Sequence, residues 1–159
     1  HLILFDVWHH PRFPGTALQV FRRVLAPGSR LLLFEPAASW LGRLVYTYFH
    51  HEPVSLHDPI TWDAPADFSA AHVDYYAAQG SATRVFWWGK SENRLDGWRV
   101  AEVRPITSFT YLGSGGFSGP QLGGDFLRGL LGGLDRIASP APRIFAARLL
   151  IVLQKDGDP

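Results

Sequence analysis

The chain has 159 residues, 47% of them hydrophobic and 18% charged, and a formal net charge of +1. Those figures suit one domain with a buried core and exclude wholesale disorder. No Lys/Arg run marks a nucleic-acid surface, no apolar run nears the roughly 20 residues that span a bilayer, and the absence of cysteine excludes disulfides, thiolate zinc sites and a Cys nucleophile.

Positions 1 to 8, "HLILFDVW", are almost continuously apolar, which predicts a strand buried on both faces of a parallel sheet. "FPGTALQVFRRVLAPGS" places Ala17, Leu18, Phe21, Val24 and Leu25 at helical spacing, with Pro14 in the first turn and Pro27-Gly28 as a stop. "RLLLFEPA" is a second buried strand ended by Pro36. Strand, helix and strand with short connections make a βαβ unit, with parallel strands and a right-handed crossover.

Trp40, Leu41, Leu44, Val45, Tyr48 and Phe49 predict a short helix with one apolar face. Pro53, Pro59 and Pro65 then punctuate a long loop, and loops of that length are usually functional or mobile. "SAAHVDYYAAQGS" predicts a helix stopped by Gly80, and "TRVFWWGKSENRL" is open between helix and strand. "WRVAEVRPITSFTYLGSGG" predicts a strand with a break near Pro105. Leu122, Phe126, Leu130, Leu131 and Leu134 predict a helix, against interior glycines that cost about 1 kcal/mol each relative to Ala. "RIFAARLLIVLQKD" predicts the last strand. Buried strands alternating with helices imply an α/β layered fold.

In such a fold ligands bind beyond the carboxyl ends of the strands. The first strand ends with Asp6, Trp8, His9 and His10, and the second with Glu35, Pro36, Ser39 and Trp40. Parallel strands joined by one helix bring these ends to one sheet edge. His9 and His10 either cap the strand, face a ligand or bind a metal. A lone buried carboxylate is costly, so Asp6 and Glu35 need partners in backbone, side chain or ligand.

"FHHEP" and "LHDP" offer His50, His51, Glu52, His57 and Asp58 as metal ligands, but without the HExxH spacing that sets two histidines on one helix face. "GSGGF" at 113 to 117 matches neither a P-loop nor GxGxxG, and a turn needing positive φ explains it more simply. No serine lies in a G-x-S-x-G elbow. The chain has no methionine and residue 1 already lies in an apolar run, so the expectation is that His1 is not the natural start. No signal peptide is visible, which makes a cytoplasmic setting the default expectation.

"LFDVWHH", "RVLAPGS", "LLLFEP", "FHHEP" and "YLGSGGF" together resemble the second half of the class I S-adenosylmethionine-dependent methyltransferases, in particular the type 11-like bacterial enzymes that act on small molecules. The specific part of the match is positions 5 to 37, with Ser29 where the family usually has a glycine. The resemblance implies a partial Rossmann-like sheet, made of the fourth to seventh strands of seven. That sheet is mostly parallel with an antiparallel last strand, and helices cover both faces.

The resemblance also implies that residues 1–159 are the C-terminal portion of one domain, and that residues 38–86 are an acceptor-side insertion. S-adenosyl-L-methionine would lie against Asp6, Val7 and Trp8. The family's glycine-rich donor loop and its acidic partner are not among these residues and would lie before His1. His9 or His10 would be the base, and Glu35, Trp40, Tyr48, His50, His51 and Glu52 would frame a small-molecule acceptor. No resident metal, nucleic acid or membrane is implied. The first strand would present an apolar edge prone to self-association, and the isolated chain would be inactive. Two rivals remain: a non-catalytic ligand-binding module of the same fold, and a metal-dependent enzyme using the His50 to Asp58 cluster.

Overall fold

A computed structural model describes residues 1–69, 74–90, 94–115 and 124–157. Four strands form one open mixed sheet in the order β1-β2-β4-β3: β1 (Leu2–Phe5), β2 (Arg30–Pro36), β3 (Trp98–Thr107) and β4 (Ala146–Lys155). β1 and β2 pair in parallel, Leu2 opposite Leu31 through Phe5 opposite Phe34. β4 runs antiparallel to both β2 and β3, so it is the one reversed strand. The fold is therefore α/β, as the alternation of elements implies.

α1 (Pro14–Val24) joins β1 to β2. Leu18 is buried and Phe21 and Leu25 pack against the core, but Val24 is 71% exposed. The core lies on one face of the sheet. Leu31, Leu33, Leu149, Ile151 and Leu153 meet Leu18, Trp8, Val85, Phe86 and Trp98 there. The register puts Leu32 opposite Val152 and Phe34 opposite Leu150 on the other face.

That second face is open beside β1, where Ile3 and Phe5 are each 58% exposed. β1 is thus half-buried, with Leu2 and Leu4 packed on the core. The expectation of burial on both faces fails because an unbroken apolar run does not say how many layers cover it.

α2 (Trp40–Tyr48) is capped by Ser39, whose Oγ accepts the Gly42 N–H at 3.0 Å. Its buried residues are Gly42 and Tyr46, while Trp40, Tyr48 and Phe49 are exposed. The face that packs is rotated from the predicted one. Gly42 lets the helix approach the Ala37 carbonyl, where a Cβ would stand 1.9 Å away, and the Tyr46 hydroxyl donates to the Ala147 carbonyl at 2.5 Å. A polar anchor and a close backbone approach outweigh the apolar count.

Residues 49–69 hold neither helix nor strand, in line with the predicted loop. The helix predicted across 69–81 does not form over 74–80; its residues 70–73 lie outside the described set. Those backbone N–H groups go elsewhere: Ala78 N to the His9 carbonyl, Gln79 N to Pro53 and Gly80 N to Val54, at 2.8–3.0 Å. Gly80 precedes a helical turn rather than stopping one. Thr83–Trp87 is a π-helical turn that buries Val85 and Phe86, which resolves the ambiguous segment.

β3 runs through Pro105 without ending. It is an edge strand, so no neighbour asks for the missing N–H; its irregularities fall at Val100/Glu102 and Ile106/Thr107. α3 (Phe109–Gly113) and α4 (Asp125–Ala138) follow, and α4 buries none of its residues. Phe126, Leu130 and Leu134, predicted to face the core, are exposed. Leu122 and the end of the "GSGGF" stretch lie outside the described residues. A short α5 (Pro142–Phe145) then leads into β4. No helix among the described residues is long and apolar enough to cross a membrane.

Candidate functional site

The site grows from one turn. After β1, Asp6 takes φ 52°, the left-handed region that Asp tolerates better than most residues. Its N–H donates to the Phe34 carbonyl at 3.0 Å, so the chain folds over the end of β2. Arg148 Nη2 on β4 lies 2.5 Å from Asp6 Oδ1, an ion pair by distance though off the line of a hydrogen bond. The same guanidinium donates to the Phe34 carbonyl at 3.0 Å and sits over the Phe34 and Tyr111 rings. Burial opposes the charge on Arg148, but Tyr46, Asp6 and Tyr111 outweigh it and raise its pKa.

Glu35, fully buried near the end of β2, organises the next residues. One oxygen accepts the N–H groups of Val7 and Trp8 at 2.9 and 2.8 Å, and the other lies 2.7 Å from His9 Nδ1. These contacts answer the desolvation cost that a lone carboxylate meets in a sheet. Trp8 is 1% exposed and packs on Phe86, so its ring is core.

His9 is 2% exposed. Its Nε2 is 3.3 Å from Glu52 Oε2 and 3.5 Å from Gln79 Nε2. His10 is more open, with its side chain 34% exposed; its Nδ1 is 3.0 Å from the Tyr76 carbonyl and its Nε2 3.9 Å from Glu52 Oε1. Glu52, 8% exposed, also has His50 Nδ1 at 3.8 Å and His51 Nε2 at 4.0 Å. Tyr75 donates to one Glu52 oxygen and Gln79 to the other.

Burial pushes the Glu52 pKa up, but the Tyr75 and Gln79 hydrogen bonds, with His9 and His10, outweigh it and hold it below the usual carboxylate value. His50 is lowered, chiefly by burial, although Glu52 pulls the other way.

The two "HH" pairs, 41 positions apart in sequence, therefore meet around one carboxylate. Asp6 to His10, Glu35, His50, His51 and Glu52 join one network at the strand ends. Trp40 and Tyr48 are 64% and 76% exposed on α2, and neither is a polar partner of Glu52. His57 and Asp58 are exposed and outside the described metal-ligand groups, so they do not join His50, His51 and Glu52. A cleft of about 350 Å³ lined by Gly15, Trp62, Asp63 and Arg94 includes none of the predicted site residues.

Sequence reasoning missed Arg148 and Gln79. Arg148 carried a signal, since it is a lone charge in the apolar run "AARLLIVLQ" and raises the same question as Asp6. Gln79 carried none. The class defined by fold and site is an α/β protein with an open mixed sheet and a polar histidine-carboxylate cluster at its strand ends. No protein-family model matches the chain, and no curated protein matches it either.

Proposed function

We propose that this chain is the acceptor side of an S-adenosylmethionine-dependent methyltransferase of Rossmann-like architecture, acting on a small molecule. One observation carries the reading: the DVWHH turn and the Glu-Pro strand end are locked together through Glu35, with His9 and His10 at the sheet's carboxyl edge. The reversed last strand, which the family resemblance also implies, supports it. The general rule that open α/β sheets bind ligands beyond their strands' carboxyl ends also supports it.

The fit to the donor is partial. Asp6 is paired with Arg148, and the Val7 and Trp8 amides are taken by Glu35. Loop 6–10 thus offers only the half-open Val7 side chain, since the Trp8 ring is core. No glycine-rich donor loop of the family's kind lies among the 159 residues. S-adenosylmethionine, when bound, supplies a methyl group on a sulfonium sulfur.

The chain's own residues supply orientation and proton handling. Glu35 fixes the His9 ring, and His9 and Glu52 set the polar floor. His10, the more exposed ring, is the group that reaches an acceptor's hydroxyl or amine and takes its proton. The predicted pair of bases thus divides into a buried positioning residue and an accessible one.

The test is calorimetric titration with S-adenosylmethionine. It is run on this chain and on one extended upstream through the source reading frame. Binding by the extended chain, and weak or no binding by residues 1–159 alone, is the expected result. An extended chain with no affinity for S-adenosylmethionine would sink the reading and favour a non-catalytic binding module.

A further inference from the structure

Two imidazoles and a carboxylate meet at the strand ends with their lone pairs turned toward one another. His9 Nδ1 is 2.7 Å from Glu35 Oε2, and His10 Nδ1 is 3.0 Å from the Tyr76 carbonyl. A peptide carbonyl only accepts, and so does a carboxylate whose other oxygen takes two backbone N–H groups. Both rings therefore carry a hydrogen on Nδ1. Each Nε2 is left as an acceptor unless a second proton binds it.

Those Nε2 atoms face Glu52, His9 at 3.3 Å from Oε2 and His10 at 3.9 Å from Oε1. Gln79 Nε2 donates one hydrogen to Glu52 and lies 3.5 Å from the His9 nitrogen, a long contact for its second hydrogen. Three electron-pair donors so placed, with only that long amide contact between them, make a set that a cation bridges well. We propose that His9, His10 and Glu52 form a His2Glu site for a divalent transition ion, zinc first, with its fourth position open to water or a substrate oxygen.

The geometry is close to closing. The ligand atoms of His9, His10 and Glu52 all lie within 4.8 Å of one another. Around a tetrahedral zinc ion such atoms stand about 3.4 Å apart, so side-chain shifts of about 1 Å complete the set. Each ligand also has the outer partner that metal ligands require. Glu35 backs His9, the Tyr76 carbonyl backs His10, and the Tyr75 hydroxyl holds Glu52. His50 stays outside, because its Nδ1 accepts the Glu52 N–H at 3.2 Å.

An ion with an open position acts as a Lewis acid, lowering the pKa of an oxygen bound to it. The inference needs only this donor set; with an ion bound, His10 Nε2 is a ligand and does not take the proton-accepting role it has in the methyl-transfer reading.

The experiment uses the untagged chain, stripped with a chelator and titrated with zinc chloride by calorimetry. Cobalt(II) absorption reports the coordination number. One zinc per chain and a four-coordinate cobalt spectrum are expected. His10→Ala and Glu52→Gln are each expected to weaken binding about tenfold or more, and Tyr75→Phe by about tenfold through loss of outer support. His57→Ala, at an exposed residue outside the cluster, leaves the affinity unchanged.

Melting curves without metal show that the variants fold; Tyr75 is 73% exposed, so its variant is the one least at risk. No stoichiometric zinc overturns the proposal. Binding that survives His10→Ala and Glu52→Gln, or that vanishes with His57→Ala, overturns it too.

Discussion

Glu35 shows how one residue commits a loop. Its carboxylate takes two backbone N–H groups and one imidazole, so no single replacement serves all three. Glu35→Gln turns one acceptor into an N–H donor facing either the amides or His9 Nδ1. It is expected to cost about 1–3 kcal/mol. Glu35→Ala leaves all three donors unmet and is expected to cost about 3 kcal/mol or more. Urea denaturation of both variants checks the order, and an Ala variant as stable as wild type would show that the clamp is not needed.

Tyr46 makes a pH prediction. Burial raises its pKa well above the ordinary value of 10.0, with Arg148 opposing. A raised pKa favours the protonated form in the folded state. Its contribution to stability is thus full below about pH 10 and is lost as pH climbs toward the folded value. The melting temperature is expected to fall steeply above pH 10, and less steeply in Tyr46→Phe once its baseline loss of the Ala147 hydrogen bond is subtracted. Equal slopes in the two proteins would place the alkaline sensitivity elsewhere.

At the scale of elements, α2 is held by its ends and by one close approach. Ser39 caps the helix through Gly42 and donates to the Ile144 carbonyl at 3.1 Å, tying α2 to α5. Ser39→Ala is expected to cost about 1 kcal/mol. Gly42→Ala is the harsher change, because its Cβ would stand 1.9 Å from the Ala37 oxygen, a rigid backbone atom. A loss of about 3 kcal/mol or more is expected, since helix and strand end must separate. Thermal melts of the two variants rank them, and a harmless Gly42→Ala would mean that α2 sits farther from the sheet. α4 is the contrast: it is amphipathic in sequence, yet Phe126 and Ile137 are 88% and 78% exposed.

At the scale of the whole molecule, the two sheet edges differ. β3 carries Arg99, Glu102, Arg104 and Pro105, the charges and proline that discourage edge pairing. β1 reads LILF and carries none. The chain is therefore expected to self-associate through β1 at rising concentration. Phe5→Lys, at an exposed position on that strand, is expected to reduce the association. Sedimentation velocity on both proteins measures it. A wild-type chain that stays monomeric across the concentration range would count against an active β1 edge.

Much of the fold was legible because the signals were local. β1, α1, β2 and β4 follow from apolar runs and helical spacing bounded by proline and glycine. The network's polar members at the strand ends could be named as well, since Asp6 and Glu35 are charges inside apolar strands. Long-range hydrogen bonds decided the rest. Residues 74–80 lose a plausible helix because their N–H groups find His9, Pro53 and Val54, partners that no window of sequence contains. Sequence alone thus determined which segments are strands and helices and where polar groups interrupt them, because propensity and patterning act between near neighbours. Only the tertiary structure decided that His9 and His10 meet Glu52 rather than that His50 meets Asp58, because contacts across 43 and 42 positions depend on how loops cross the sheet edge.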